Sequence, residues 1–195
     1  MDNNDKYLLS SVYNTLDILD LLSKHEELGV AEISKELDMG KASVFRMLYT
    51  LEKKEYVHKT SNAKYRLGIK FAHYGSIVLE RQSEFSIAKP FLQKLRDEYN
   101  LTTHLAILDT DLNIIFMDKE ISNSTIQMTS KVGAKLPAYC TGTGKVLLAG
   151  NLCDDLKNKI KALELKTHTK NTITDHDKLL DELNKIRTQG YGTDL

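Results

Sequence analysis

Ala42, Arg46, Tyr49 and Lys53, spaced to fall on one side of a single helix with Lys41 and Ser43 in its first turn, carry the groups with which a protein can read a DNA duplex. A guanidinium pairs with guanine acceptors, lysines meet phosphates, and hydroxyls or small side chains fit at base edges. Lys59, Lys64 and Arg66 follow closely and offer further phosphate contacts. A second chemistry is carried by Thr141-Gly142-Thr143-Gly144-Lys145, where a loop runs into a short helix over 143–149. Such a helix end has free N–H groups and a partial positive charge, which suit a carboxylate, with Thr141 or Thr143 as the capping hydroxyl. A plain structural turn and helix cap is the other reading. It is not a phosphate-binding loop, since that pattern needs glycine at Tyr139 and Ser or Thr at Val146.

The elements that position the first set are two short helices and a hairpin. Val30, Ile33 and Leu37 give one helix an apolar face, and Val44, Leu48 and Leu51 do the same for the next, with Asp38-Met39-Gly40 as the turn. Gly40 suits a sharp bend or the start of a helix. A helix pair of this kind also serves as an ordinary core piece, so the following residues matter. Tyr56–Lys59 and Lys64–Leu67 alternate around Thr60-Ser61-Asn62-Ala63, which predicts a wing whose Tyr65 and Leu67 face inward while Lys64 and Arg66 face outward. A first helix over 7–24 presents Val12, Leu16, Leu19 and Leu22. Charge supports the reading: net charge is zero overall, but residues 1–38 carry −6 and residues 39–70 carry +6. A local basic patch supplies phosphate affinity without a basic whole protein.

With 195 residues, 41% hydrophobic and 28% charged, the chain can build one or two real cores, and two prolines with ten glycines exclude collagen-like or low-complexity structure. No stretch is apolar enough to span a membrane, and the start MDNNDKY is unlike a signal peptide, so the expected location is the cytoplasm. Cys140 and Cys153 lack metal or redox spacing and are expected as free thiols. The six histidines are scattered, with no nucleophile–base pair, so neither an enzyme, a metal site nor a cofactor is expected.

Residues 69–85 predict a linker helix with Ala72, Gly75 and Ser76 along one side, suited to meeting a partner. A second domain over 86–195 opens with a helix bearing Ile87, Phe91, Leu95 and Tyr99 at four-residue intervals. Strands are predicted over 102–108, 113–119 and 124–131, the first two joined by Asp109-Thr110-Asp111. A loop over 133–145, helices over 152–163 and 175–188, and a strand beginning at Tyr191 complete the reading.

These residues resemble the isocitrate-lyase-regulator (IclR) family of bacterial transcription factors. Leu28–Ser34, Lys41–Leu48 and Lys64–Gly68 resemble its winged-helix motifs. Leu136-Pro137, Thr141–Ala149 and Gly190-Tyr191 with Asp194 resemble its effector-domain motifs. The resemblance implies an α+β chain: a winged helix-turn-helix over 7–68, a linker and dimerisation helix over 69–85, and a GAF-like effector-binding domain over 86–195. It implies a dimer, or a dimer of dimers, on a pseudo-palindromic double-stranded operator. Matched position by position, the effector residues are Met128, Leu136, Gly142, Thr143 and Asp194. The subgroup is similar to repressors of pectin and sugar-acid catabolism, which implies a small carboxylate such as a keto sugar acid as effector. Tyr139 stands where many members carry His. The sequence ends before the family's closing strands, so the effector domain is expected to be incomplete at its C-terminus. The alternative expectation is a dimerising DNA-binding protein whose shortened C-terminal domain no longer binds an effector.

Overall fold

Apolar side chains at three- and four-residue intervals draw the first helices into a small core. The computed structural model describes residues 5–81, 83–125 and 129–194, and the chain divides into two units, 1–81 and 82–195. In the first unit, α1 (Ser10–Ser23), α2 (Val30–Glu36) and α3 (Lys41–Lys53) meet around Ile18, Leu22, Ile33, Val44 and Leu48, none more than 1% exposed. Each such burial contributes roughly 1.5–3 kcal/mol. The hairpin β1 (Val57–Lys59) and β2 (Tyr65–Leu67) is antiparallel, pairing His58 with Arg66. Tyr65 is 1% exposed and closes the core. It also exchanges backbone hydrogen bonds with Leu28 at 2.9 and 2.8 Å, so the chain entering α2 is laced to the wing.

The structure chooses between the two roles open to Gly40 and shortens α1. The turn between α2 and α3 takes its left-handed residue at Asp38, φ 51°, whereas Gly40 has φ −63° and simply precedes α3 as its N-cap. Asp tolerates this conformation better than most side chains, so the bend does not require the glycine. In α1 the helix is shorter than expected, and Val12 and Leu16 are 52% and 54% exposed while Ile18 and Leu22 fill the core. The periodicity marks an apolar face, but within α1 burial is confined to Ile18 and Leu22 in its second half.

Helix α4 (Lys70–Arg81) follows the wing and buries no residue of its own, and the chain continues into the short α5 (Ser83–Ser86). Its first turn is fastened to the end of α3. The Tyr56 ring packs against Phe71 and Tyr74 at 5.5 and 5.9 Å, its hydroxyl donates to that of Tyr74 at 3.3 Å, and Lys70 Nζ lies 4.7 Å from the Tyr56 ring centre. Lys70 also donates to the Lys54 carbonyl at 3.0 Å.

The second unit contains α6 (Lys89–Tyr99), β3 (Thr103–Leu108), β4 (Asn113–Glu120), β5 (Lys135–Pro137), α7 (Gly142–Gly150), α8 (Asp154–Ala162) and α9 (His176–Gln189). The sheet is antiparallel in the order β3-β4-β5. Ile114 and Phe116 of β4 form one core with Leu148, Ile160, Leu179 and Leu183 of the three later helices. Asp109 shapes the β3–β4 turn by accepting from the N–H groups of Asp111 and Asn113 at 2.9 and 2.8 Å, and Lys135 reaches back to its carboxylate at 2.6 Å. Burial pushes the Asp109 carboxyl up, and these partners outweigh it and hold it below the usual range.

Helix α6 leaves its apolar row exposed. Leu92 is buried, Gln93 and Arg96 hold Glu120 at 3.2 and 2.6 Å, and Ile87, Phe91, Leu95 and Tyr99 stay between 46% and 70% exposed. The strand expected over 124–131 lies partly on residues 126–128, outside the described residues, and 129–131 are not strand. The loop over 133–145 contains β5 and a 3-10 turn at Ala138–Cys140. The strand expected from Tyr191 is absent over the described residues 191–194.

Candidate functional site

Because Val44, Leu48 and Leu51 anchor the inner side of α3, its other side is presented outward. Lys41, Ala42, Arg46, Tyr49 and Lys53 are exposed, and Ser43 is half-buried. Ser43 and Arg46 also border an open groove between α1 and α3, whose apolar wall includes Val12, Leu16 and Met47. Lys53 Nζ lies 5.3 Å from the centre of the Tyr49 ring, and Tyr49 stacks on Phe45 with ring centres 6.4 Å apart. Phe45 is 48% exposed and was not among the residues singled out from the sequence. Its signal was legible: it falls off the Val44–Leu48–Leu51 stripe and one turn before Tyr49.

The wing closes by a hydrogen bond from the Thr60 N–H to the Lys64 carbonyl at 2.8 Å, with Ala63 in the left-handed region at φ 59°. Lys59 extends over the Tyr65 ring at 5.6 Å, and Arg66 is exposed. Lys64 departs from the outward-facing expectation. Its Nζ pairs with Glu32 of α2 at 3.4 Å, while the same carboxylate accepts the Gly29 N–H at 2.6 Å. That backbone hydrogen bond first, and Lys64 after it, hold the Glu32 carboxyl below its usual range. The lysine therefore has a carboxylate partner within the domain and is only partly available to phosphate.

In the second unit Thr141 is the capping residue of α7, its Oγ1 accepting the Gly144 N–H at 3.0 Å, and Thr143 is exposed. Gly142 lies against the chain at Thr193–Asp194: a Cβ there would stand 3.5 Å from the Asp194 nitrogen, ordinary contact. At Gly144 an added Cβ would collide with the backbone of Ala138 and with Thr141 Oγ1, so the obligatory close approach is at Gly144. Lys145, only 9% exposed, donates to the Thr193 carbonyl at 2.7 Å. Burial, then the Asp194 carboxylate, push the Cys140 thiol up, and Lys145 opposes them. A buried amine and a carboxylate thus flank the start of α7. Gly142, Thr143 and Asp194 are brought together, Leu136 stands 42% exposed on β5 one turn earlier, and Met128 lies outside the described residues. Among the described residues no group of three or more His, Cys, Asp or Glu side chains could hold a metal ion, and no helix is long and apolar enough to cross a membrane.

Comparison with known proteins matches two domains of one family. Residues 11–61 match the IclR helix-turn-helix domain, and residues 77–195 match the bacterial transcriptional regulator IclR C-terminal domain. The chain is 34% identical over 187 residues to the HTH-type transcriptional regulator KdgR of Escherichia coli, covering 95% of this chain and 71% of that one. It is 33% identical over 187 residues to KdgR of Dickeya chrysanthemi, of which it spans 61%. Among solved structures, the IclR of Thermotoga maritima superposes with a TM-score of 0.58 at 32% identity, over 94% of this chain and 74% of that one.

Proposed function

The chain belongs to the IclR family of bacterial transcriptional regulators, and from that premise we propose that it is a cytoplasmic, ligand-responsive repressor of a carbon-catabolism operon. The observation that carries this reading is the outward side of α3, where Lys41, Arg46 and Lys53 are exposed beside the basic wing. Residues 7–68 read DNA, residues 69–85 connect, and residues 86–195 sense the effector. Arg46 reads a base edge, while Lys41, Lys53, Lys59 and Arg66 neutralise phosphates, with Lys64 contributing less because Glu32 holds it. Ala42, Ser43 and Tyr49 complete the contact surface. The function is binding rather than catalysis.

The working form is a homodimer. Half-exposed apolar side chains on α1 and on α6 leave surfaces that association would cover. Two winged helices related by a two-fold axis meet half-sites about 34 Å apart, so the operator is a pseudo-palindrome. The effector is a small carboxylate, a keto sugar acid by kinship with the sugar-acid regulators, held by the N–H groups at Gly142 and Thr143, with Asp194 accepting from ligand hydroxyls. Fluorescence anisotropy on duplexes enriched from a random pool tests the DNA reading. The expected result is inverted symmetry in the enriched site and tighter binding to it than to its scrambled counterpart. Equal affinity for both would overturn the reading.

A further inference from the structure

Phe45 is the unexplained residue of α3. Its neighbours Val44 and Leu48 are fully buried, and Phe45 itself is 48% exposed. Tyr49 fixes it from one turn further on, the ring planes 28° apart, and Lys53 continues the row over Tyr49. The result is a stacked aromatic pair ending in a cation, one helical position from Arg46, inside a stretch with eight basic and two acidic residues between Met39 and Lys70. That charge selects a polyanion as what this side of α3 meets. The base edges of a major groove offer a phenyl ring one apolar group, the C5-methyl of thymine.

We propose that Phe45 is a specificity-determining residue that reads a thymine methyl in each half-site, its ring held in place by Tyr49. This rests on the reading of α3 as the DNA-contacting helix, and the two claims fail separately. Next to Arg46, the pair specifies a thymine close to the base that the guanidinium contacts.

The experiment uses the full chain and the duplex it enriches from a random pool. Each thymine is replaced in turn by uracil, which removes only the methyl and leaves every hydrogen-bonding edge unchanged. One thymine per half-site is expected to lower wild-type affinity about fourfold when replaced, as burial of one methyl group implies, and symmetric replacement in both half-sites about fifteenfold. Phe45→Ala, whose exposed position leaves the core intact, is expected to bind thymine and uracil duplexes equally, and Phe45→Leu to keep part of the discrimination. The proposal is overturned if no uracil substitution weakens the wild type, or if Phe45→Ala discriminates as the wild type does. It is overturned also if Phe45→Ala leaves DNA binding untouched and changes only the oligomeric state, which makes the ring a protein contact. Sequence-specific binding that Arg46→Ala abolishes, combined with indifference to uracil, sinks the role of Phe45 alone. Failure to enrich any duplex sinks both claims.

Discussion

Arg46 is exposed on a helix whose opposite side is anchored by Val44 and Leu48, so its truncation leaves the core intact and, on the proposed reading of α3, removes hydrogen bonds to DNA. Arg46→Ala is expected to cost about 1–3 kcal/mol of specific binding and to relax preference at one base pair of each half-site. Affinity within error of wild type on the enriched duplex would show that α3 is not the reader. The two wing cations separate by their surroundings. Arg66→Ala is expected to weaken all sequences alike and reduce the salt slope by about 1. Lys64→Ala is expected to do so less, because Glu32 already holds that ammonium; salt titrations of the two variants give the comparison. At the wing tip, Ala63 occupies the left-handed region at φ 59°. A side chain there costs roughly 1–2 kcal/mol, and glycine recovers most of it against its greater unfolded entropy. Ala63→Gly is therefore expected to stabilise the first unit by about 0.5–1 kcal/mol in urea melts.

The elements differ in how legible they were. Helix α9 stands within a residue of its expected bounds because its periodicity agrees with a local stop signal at Gly190, whose φ of 82° caps it. The apolar row of α6 was legible as a row but not as a surface, since periodicity cannot say which face finds a partner. Strand β5 was missed because three residues ending in proline carry little strand signal, and it exists by pairing with β4. At the candidate effector end, the glycines were legible as a close approach, yet the sequence drew attention to Gly142 where the structure makes Gly144 the constrained position. Gly144→Ala is thus expected to destabilise the second unit by about 1–3 kcal/mol, by overpacking against Ala138, while Gly142→Ala costs less than about 1. Thermal melts of both variants decide it. The sheet also carries a pH response. Burial, then the charge of Lys119, hold the His104 imidazole below its ordinary value of 6.5, with Nε2 2.6 Å from Ser130 Oγ and the ring 4.9 Å from Phe116. The fold favours the neutral ring, so this stability is fully present above 6.5 and is lost as pH falls through the lowered value. Melting temperature is expected to drop on acidification in the wild type and to drop less in His104→Gln.

At the scale of the whole molecule, the zero net charge conceals −6 over residues 1–38 and +6 over residues 39–70. Effector binding is tested at the same scale. Small keto or sugar acids are expected to raise the melting temperature according to RT ln(1 + [L]/Kd), their neutral amides are not, and Asp194→Ala is expected to weaken the shift. Equal shifts from acids and amides would remove the carboxylate role from the start of α7. The aromatic joint at Tyr56, Phe71 and Tyr74, closed by Lys70, has a mechanical consequence for the first unit. With twelve residues, α4 is about 18 Å long, and its near end is welded to the end of α3 instead of hinged there. A tilt of about 10° sweeps its Arg81 end through about 3 Å, and the lever works in both directions. On the proposed reading of α3 as the DNA-contacting helix, seating it in a groove sets the direction of α4 as far as Arg81.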